Sequence, residues 1–203
     1  AAADKAITLT PDQNWPYLYR CINYFCWKGP VPEVRAAAAS VEADYSWRWW
    51  VLYLVEVADG NIDEALGMAA ALPDGWDIRK TEVAPAALFE AYLHQHLGDA
   101  ALAKRKYTEA VALLEKELPT HAEDARYHSA LGMALAGAGQ KDRAIATAIK
   151  ATELMSYAKD AGYGINPIYD LAVTYTLVGE FDKAFEQLEF NLGHPGYFTV
   201  EWL

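Results

Sequence analysis

Histidine, cysteine and paired carboxylates carry most enzyme chemistry, and this chain spaces them poorly for it. His94 and His96 are two residues apart, which turns them to different faces of a helix. No His-Glu-x-x-His pattern or carboxylate cluster accompanies them. His121 and His128 are two helical turns apart, a spacing that packing or capping explains. Cys21 and Cys26 lie five residues apart, about 7.5 Å along a helix axis, and point in different directions. Disulfide geometry wants Cα atoms within about 7 Å, so both read as free, buried or half-buried thiols. No Gly-x-Ser-x-Gly elbow anchors a nucleophilic serine, and no glycine-rich phosphate loop ends in Gly-Lys-Ser/Thr. The acid pairs Asp63-Glu64 and Glu123-Asp124 fall where helices start, and the helix dipole accounts for them. The residues therefore predict no catalytic centre, no metal site and no cofactor.

Recognition chemistry is better represented. Trp15, Tyr17, Tyr19, Tyr24, Phe25 and Trp27 cluster in one stretch, and Tyr45, Trp47, Trp49, Trp50 and Tyr53 in the next. Two readings stand open: bulky rings that fill a core, and aromatic anchors on a binding surface. Trp49 and Trp50 are adjacent and cannot both face inward, so one of them is partly exposed or meets a neighbouring repeat.

These residues must be positioned by helices. A phrase recurs: Gly60-Asn-Ile-Asp63-Glu-Ala65, Gly139-Gln-Lys-Asp142-Arg-Ala144 and Gly179-Glu-Phe-Asp182-Lys-Ala184, with a weaker copy from Gly98 to Ala103. The glycines are 38, 41 and 40 residues apart, a period that marks stacked repeats. Apolar residues follow a three-to-four spacing over 125–138, 142–155, 167–178 and 182–192. Each glycine suits the left-handed residue that ends a helix, and two helices joined by such a turn form a hairpin. Asn166 before Pro167, Thr120 and Ser46 are expected to cap their helices. No alternating β pattern of useful length is present. Residues 6–12 read as the tail of a second helix and 198–203 as the start of another, as in a piece of a longer protein.

Composition fits this reading. The chain has 203 residues, 53% of them hydrophobic, enough to bury one sizeable core. The net charge of −11 disfavours nucleic acid as a partner, and no run approaches the roughly 20 apolar residues that span a bilayer. The first nine residues lack a basic region followed by a long apolar stretch, so they do not read as a signal peptide. The compartment is left open, cytoplasmic or, with a signal or membrane span upstream, periplasmic.

At this point the residues resemble the tetratricopeptide repeat (TPR) family. Residues 125–156 carry Leu131-Gly132, Leu135, Gly139, Ala144, Ala148 and Ala151 at its packing positions; 165–192 carry Leu171-Ala172, Tyr175, Gly179, Ala184 and Leu188. Residues 46–72 and 84–118 are degenerate copies, and 15–41 is a poorer one with Gly29 as its turn. The small residues Gly132, Ala144 and Ala151 are expected to let neighbouring helices approach. The family repeats every 34 residues or so, and the longer period here is expected to sit between hairpins and in a longer second helix near 99–118. Residues 157–164 are one such insert. The stretch 131–203 also resembles the repeat tail of bacterial multidomain signalling proteins, in which a cyclase, a kinase or a winged-helix regulator precedes the repeats.

The resemblance implies an all-α, α-α superhelix (solenoid) of about five hairpins forming one domain over 1–203, with a partial repeat at 1–11 and an incomplete segment at 193–203. It also implies a concave groove lined by first helices. Carried over residue by residue, the lining is Tyr19, Asn23, Trp27, Trp47, Trp50 and Leu54, then Leu88, Tyr92 and Gln95, then Arg126, Ser129 and Met133, and finally Tyr169, Val173 and Thr176. A groove for a C-terminal carboxylate would need several cations and asparagines, and only Asn23 and Arg126 qualify. An apolar or helical peptide suits the lining better. The expected function is a non-catalytic protein–protein interaction module, the regulatory or scaffolding arm of a larger bacterial protein. A homo-oligomer built through the aromatic face and a small-ligand sensor with an aromatic N-terminal pocket are the alternatives.

Overall fold

The computed structural model describes residues 2–42, 46–72, 77–79 and 82–194, with 77–79 as backbone alone. Tyr45 and the expected helix start at 198–203 lie outside these residues. The chain divides into two compact units, with the boundary after Met68.

The first unit carries α1 (Ala2–Leu9), α2 (Asn14–Lys28), α3 (Pro32–Ala38), α4 (Ser46–Ala58) and, through Met68, α5 (Ile62–Ala70). The second holds a strand pair, β1 (Asp77–Arg79) and β2 (Glu82–Val83), then α6 (Ala86–His96), α7 (Ala100–Glu117), α8 (Ala125–Gly137), α9 (Lys141–Leu154), α10 (Ile165–Leu177) and α11 (Phe181–Leu192). The fold is all-α and TPR-like, a series of helical hairpins. In the second unit α8 packs against both α7 and α10, and α10 also packs on α9, so consecutive hairpins stack.

Every hairpin turn has the same backbone cause. Gly29, Gly60, Gly98, Gly139 and Gly179 have φ between 74° and 88°, a region costly for any residue with a Cβ. Four of the turns close identically. The amide of Asn61 donates to the Glu56 carbonyl, as do Asp99 to His94, Gln140 to Leu135 and Glu180 to Tyr175. Each is the six-to-one bond that satisfies a helix's last carbonyls. A Cβ added at any of these five glycines would meet nothing, so conformation and not space selects them.

Other glycines are selected by space. A Cβ on Gly132 would lie 2.9 Å from the Ala148 methyl, and one on Gly137 2.3 Å from the Tyr107 ring. Ala144, Ala148 and Ala151 are buried, as the small-residue expectation requires. The core of the second unit is completed by Leu88, Leu93, Tyr107, Leu114, Leu135 and Ile165. Ala148, Leu171, Tyr175 and Ala184 join α9, α10 and α11, with Ile145 packed alongside.

The extra length lies where the repeat period places it. α7 is 18 residues long and runs into a 3-10 turn at Leu118–Thr120. The insert is a built turn. The Asp160 carboxylate accepts from the Gly162 and Tyr163 amides, and Lys159 donates to the Glu153 and Leu154 carbonyls ending α9, where a cation also meets the helix dipole.

Two capping expectations need correction, and a short strand pair accompanies the helices. Asp124, not Thr120, caps α8 by accepting from the Arg126 amide, and the Thr120 hydroxyl donates back to Glu117. Asn166 lies inside α10 and donates to the Tyr163 carbonyl, leaving Gly164 at the cap position. Residues 77–83 contain an antiparallel pair, with Asp77 opposite Val83 and Arg79 opposite Glu82. Two such short strands are below the length at which alternation becomes legible.

Candidate functional site

The first unit presents its aromatic residues as a stripe. Trp15, Tyr19, Asn23 and Trp27 recur every four residues on α2, and all four are exposed. Trp27 is 74% exposed, Tyr19 46% and Trp15 41%. The stripe begins in a ring cluster: Trp15 lies 6.1 Å from Tyr19 and meets Trp47 edge-on at 5.7 Å, and Trp47 meets Trp50 at 6.2 Å. Such edge and tilted contacts suit the ring quadrupoles. Lys28 lies over Trp27 at 5.2 Å and over Tyr24 at 5.7 Å, and Arg20 lies 5.8 Å from the Tyr24 ring centre. Cations thus edge the far end of the stripe.

The adjacent tryptophans divide as their geometry demands. Trp50 is buried. Trp49 is half-buried, donates its indole N–H to the Met68 carbonyl of α5 and stacks on Tyr53 at 5.2 Å. Leu54 and Trp47 are half-buried. An ion-pair network ties α3 to the end of α4. Arg35 binds Glu56 and, at 2.7 Å, Asp59, and Asn61 donates to Glu56 at 2.8 Å. The Arg35 hydrogen bond holds the Glu56 carboxyl below its ordinary pKa against the opposing effect of burial.

In the second unit two of the predicted lining residues, Tyr92 and Gln95, meet on Tyr107, and a third, Met133, joins through Tyr92. The Tyr92 hydroxyl donates to the Met133 sulfur at 3.2 Å, linking α6 to α8. Tyr92 meets Tyr107 edge-on at 5.8 Å, and the Tyr107 hydroxyl donates to Gln95 at 2.5 Å. Tyr107 is buried, and that burial raises its phenol above the usual range. Arg126 folds back onto Asp124 at 2.7 Å. Burial pushes the Asp124 carboxyl up, but hydrogen bonds from the Arg126 side chain and backbone outweigh it and leave the pKa lowered. Tyr169 and Val173 are half-buried, and exposed Thr176 donates to the Ala172 carbonyl.

Three lining positions are not surface. Leu88 is wholly enclosed, and Trp50 and Ser129 are buried. Of these, Trp50 meets another lining residue, Trp47. For Leu88 the cause is its place in the first turn of α6, between buried Ala87 and Phe89. Trp15 and Tyr107 belong to the two clusters and were not predicted among the lining residues. The four-residue spacing of Trp15 from Tyr19 is the signal that exposes the first. Tyr107 lies on a second helix, and no first-helix pattern could point to it.

Cys21, His121 and His128 are engaged in local structure. Cys21 is buried, its Sγ lies 3.6 Å from the Val34 carbonyl, and burial raises its thiol to about 11. His121 lies flat on Tyr127 at 4.0 Å, and a His128 ring nitrogen sits 2.8 Å from the Ala122 carbonyl. Among the described residues no group of histidine, cysteine and acidic side chains is placed to hold a metal ion. No helix among them is long and apolar enough to cross a membrane.

No family model matches the chain, and no curated protein matches it. Among solved structures it is similar to YrrB, described as a TPR protein with an unusual peptide-binding site. The two share 20% identity over 95% of this chain and 92% of that one, with a TM-score of 0.35. The fold assignment rests on the hairpins and their turns, not on this likeness.

Proposed function

We propose that this chain is a non-catalytic interaction module that holds an apolar or helical peptide segment of a partner protein. One observation carries the reading: the exposed stripe of Trp15, Tyr19 and Trp27 on α2. Large rings bring wide contact area at little conformational cost, which is why tryptophan and tyrosine dominate interface hot spots. The half-buried Trp47 and buried Trp50 hold Trp15 from behind, so the stripe is preorganised. Asn23 and Leu54, and in the second unit Gln95, Tyr169, Val173 and Thr176, are further contact positions in this reading. Arg126 is held by Asp124, which argues against capture of a C-terminal carboxylate.

The non-catalytic reading is supported by Cys21, His121 and His128, each engaged in local structure. It includes one repeat domain over 1–203, acting as a regulatory or scaffolding arm of a larger bacterial protein. The upstream reading frame tests that last element. The binding claim is tested by affinity capture from host lysate with the wild type beside Tyr19→Ala/Trp27→Ala. A protein retained by the wild type and lost by the variant supports it. Equal capture by both, or capture by neither, sinks it.

A further inference from the structure

A second apolar surface lies on the last helix, far in sequence from the aromatic stripe. On α11, Phe181, Phe185 and Leu192 are 59%, 65% and 43% exposed, and Leu188 is half-buried. At about 100° per residue these four side chains fall within one narrow strip. The strip adjoins the face that Ala184 and Asn191 bury. Along its outer border run Glu189, Asp182 and Glu186, all exposed and, among the described residues, with no cation within ion-pair reach. The helix's one lysine does not neutralise them. Lys183 pairs with Glu180 at 3.2 Å and lies over the Tyr175 ring at 5.7 Å.

We infer that this face of α11 docks a cationic amphipathic helix, whose apolar side covers Phe181, Phe185 and Leu192 and whose lysines or arginines meet the acidic border. Charge chooses the occupant. Residues 195–203 carry Glu201 and no lysine or arginine, so they complement the strip but not its border. A second copy pairing through the same face would set carboxylates against carboxylates. An anionic lipid surface is repelled for the same reason. Helix-in-groove binding by a basic amphipathic segment satisfies both halves of the surface.

The test is a titration of the full chain with a labelled leucine–lysine amphipathic peptide of about four turns, read by fluorescence anisotropy. Its leucine–glutamate counterpart is the second probe. Three variants, checked for unchanged helicity by circular dichroism, accompany the wild type: Phe181→Ser/Phe185→Ser, Glu186→Lys/Glu189→Lys, and Asp63→Lys/Glu64→Lys as a remote control of equal charge change. Saturable binding of the lysine peptide, about tenfold weaker in each α11 variant and unchanged in the control, with none by the glutamate peptide, supports the inference. Equal weakening in the control assigns the effect to overall charge and overturns it. So does binding unaffected by Phe181→Ser/Phe185→Ser. A wild-type dimer in sedimentation that becomes monomeric in the same variant gives the face to a second copy instead.

Discussion

The two units meet the same requirement with different side chains. In the second unit helices approach through small residues: Gly132 of α8 against Ala148 of α9 and Gly137 of α8 against Tyr107 of α7, with Ala144 and Ala151 also buried. In the first unit rings fill comparable space, with Trp50 and Tyr53 buried and Trp49 bonded to the Met68 carbonyl. Small residues pack closely between these helices. Large rings pack on one edge only, so Trp15, Tyr19 and Trp27 project. The comparison teaches that small residues let the regular repeats stack helix on helix, whereas the ring-rich hairpin leaves wide aromatic area exposed, the area to which the proposed function assigns recognition.

This contrast makes four predictions, in descending size. Gly137→Ala forces a methyl into the buried Tyr107 ring and should cost about 3 kcal/mol in urea unfolding. A cost below about 1 kcal/mol would mean the close approach is not what fixes that packing. Glu56→Ala removes the carboxylate that accepts from Arg35 and Asn61, and should cost about 2 kcal/mol in the same assay, reduced from a fully buried pair because Arg35 is partly exposed. Because the Glu56 pKa is lowered in the fold, its contribution is present above the ordinary carboxylate value. It is lost as pH falls through the lowered one. Wild type and Glu56→Gln should therefore converge in Tm on acidification, and a constant gap would refute the linkage. Gly139→Ala tests conformation alone, since a Cβ there touches nothing. It should cost about 1 kcal/mol at φ 88°. Trp27→Ala should change stability by less than about 0.5 kcal/mol yet weaken partner capture. A large loss of stability would move Trp27 from the surface to the frame.

The hairpins were legible in the sequence because a turn at positive φ admits one residue cheaply, and that residue recurs at a fixed period. The 18-residue α7 was legible from the lengthened period. Capping was less so. Asp124 was recognised at a helix start, but Thr120 and Asn166 were misplaced, since a hydroxyl or amide can bond backward as readily as it caps. For the lining, helical periodicity identifies a face and not its depth. The family resemblance, which assigns the lining to first helices, therefore grouped exposed Tyr19 and Trp27 with enclosed Leu88. Whether Trp49 or Trp50 turned inward depended on the partner helix, and only the indole bond to Met68 decides it. The Tyr92–Met133 contact joins residues 41 positions apart, the same separation as Gly98 and Gly139, so the repeat aligns the two positions without showing that they touch.

The most direct test of the central claim is oxidative footprinting of the aromatic side chains, with and without the protein captured by the wild type. The account predicts that Trp15, Tyr19 and Trp27 lose reactivity on binding while Trp49, already bonded to the Met68 carbonyl, is unchanged. Undiminished reactivity along α2 with the partner bound would contradict it and place recognition elsewhere on the chain.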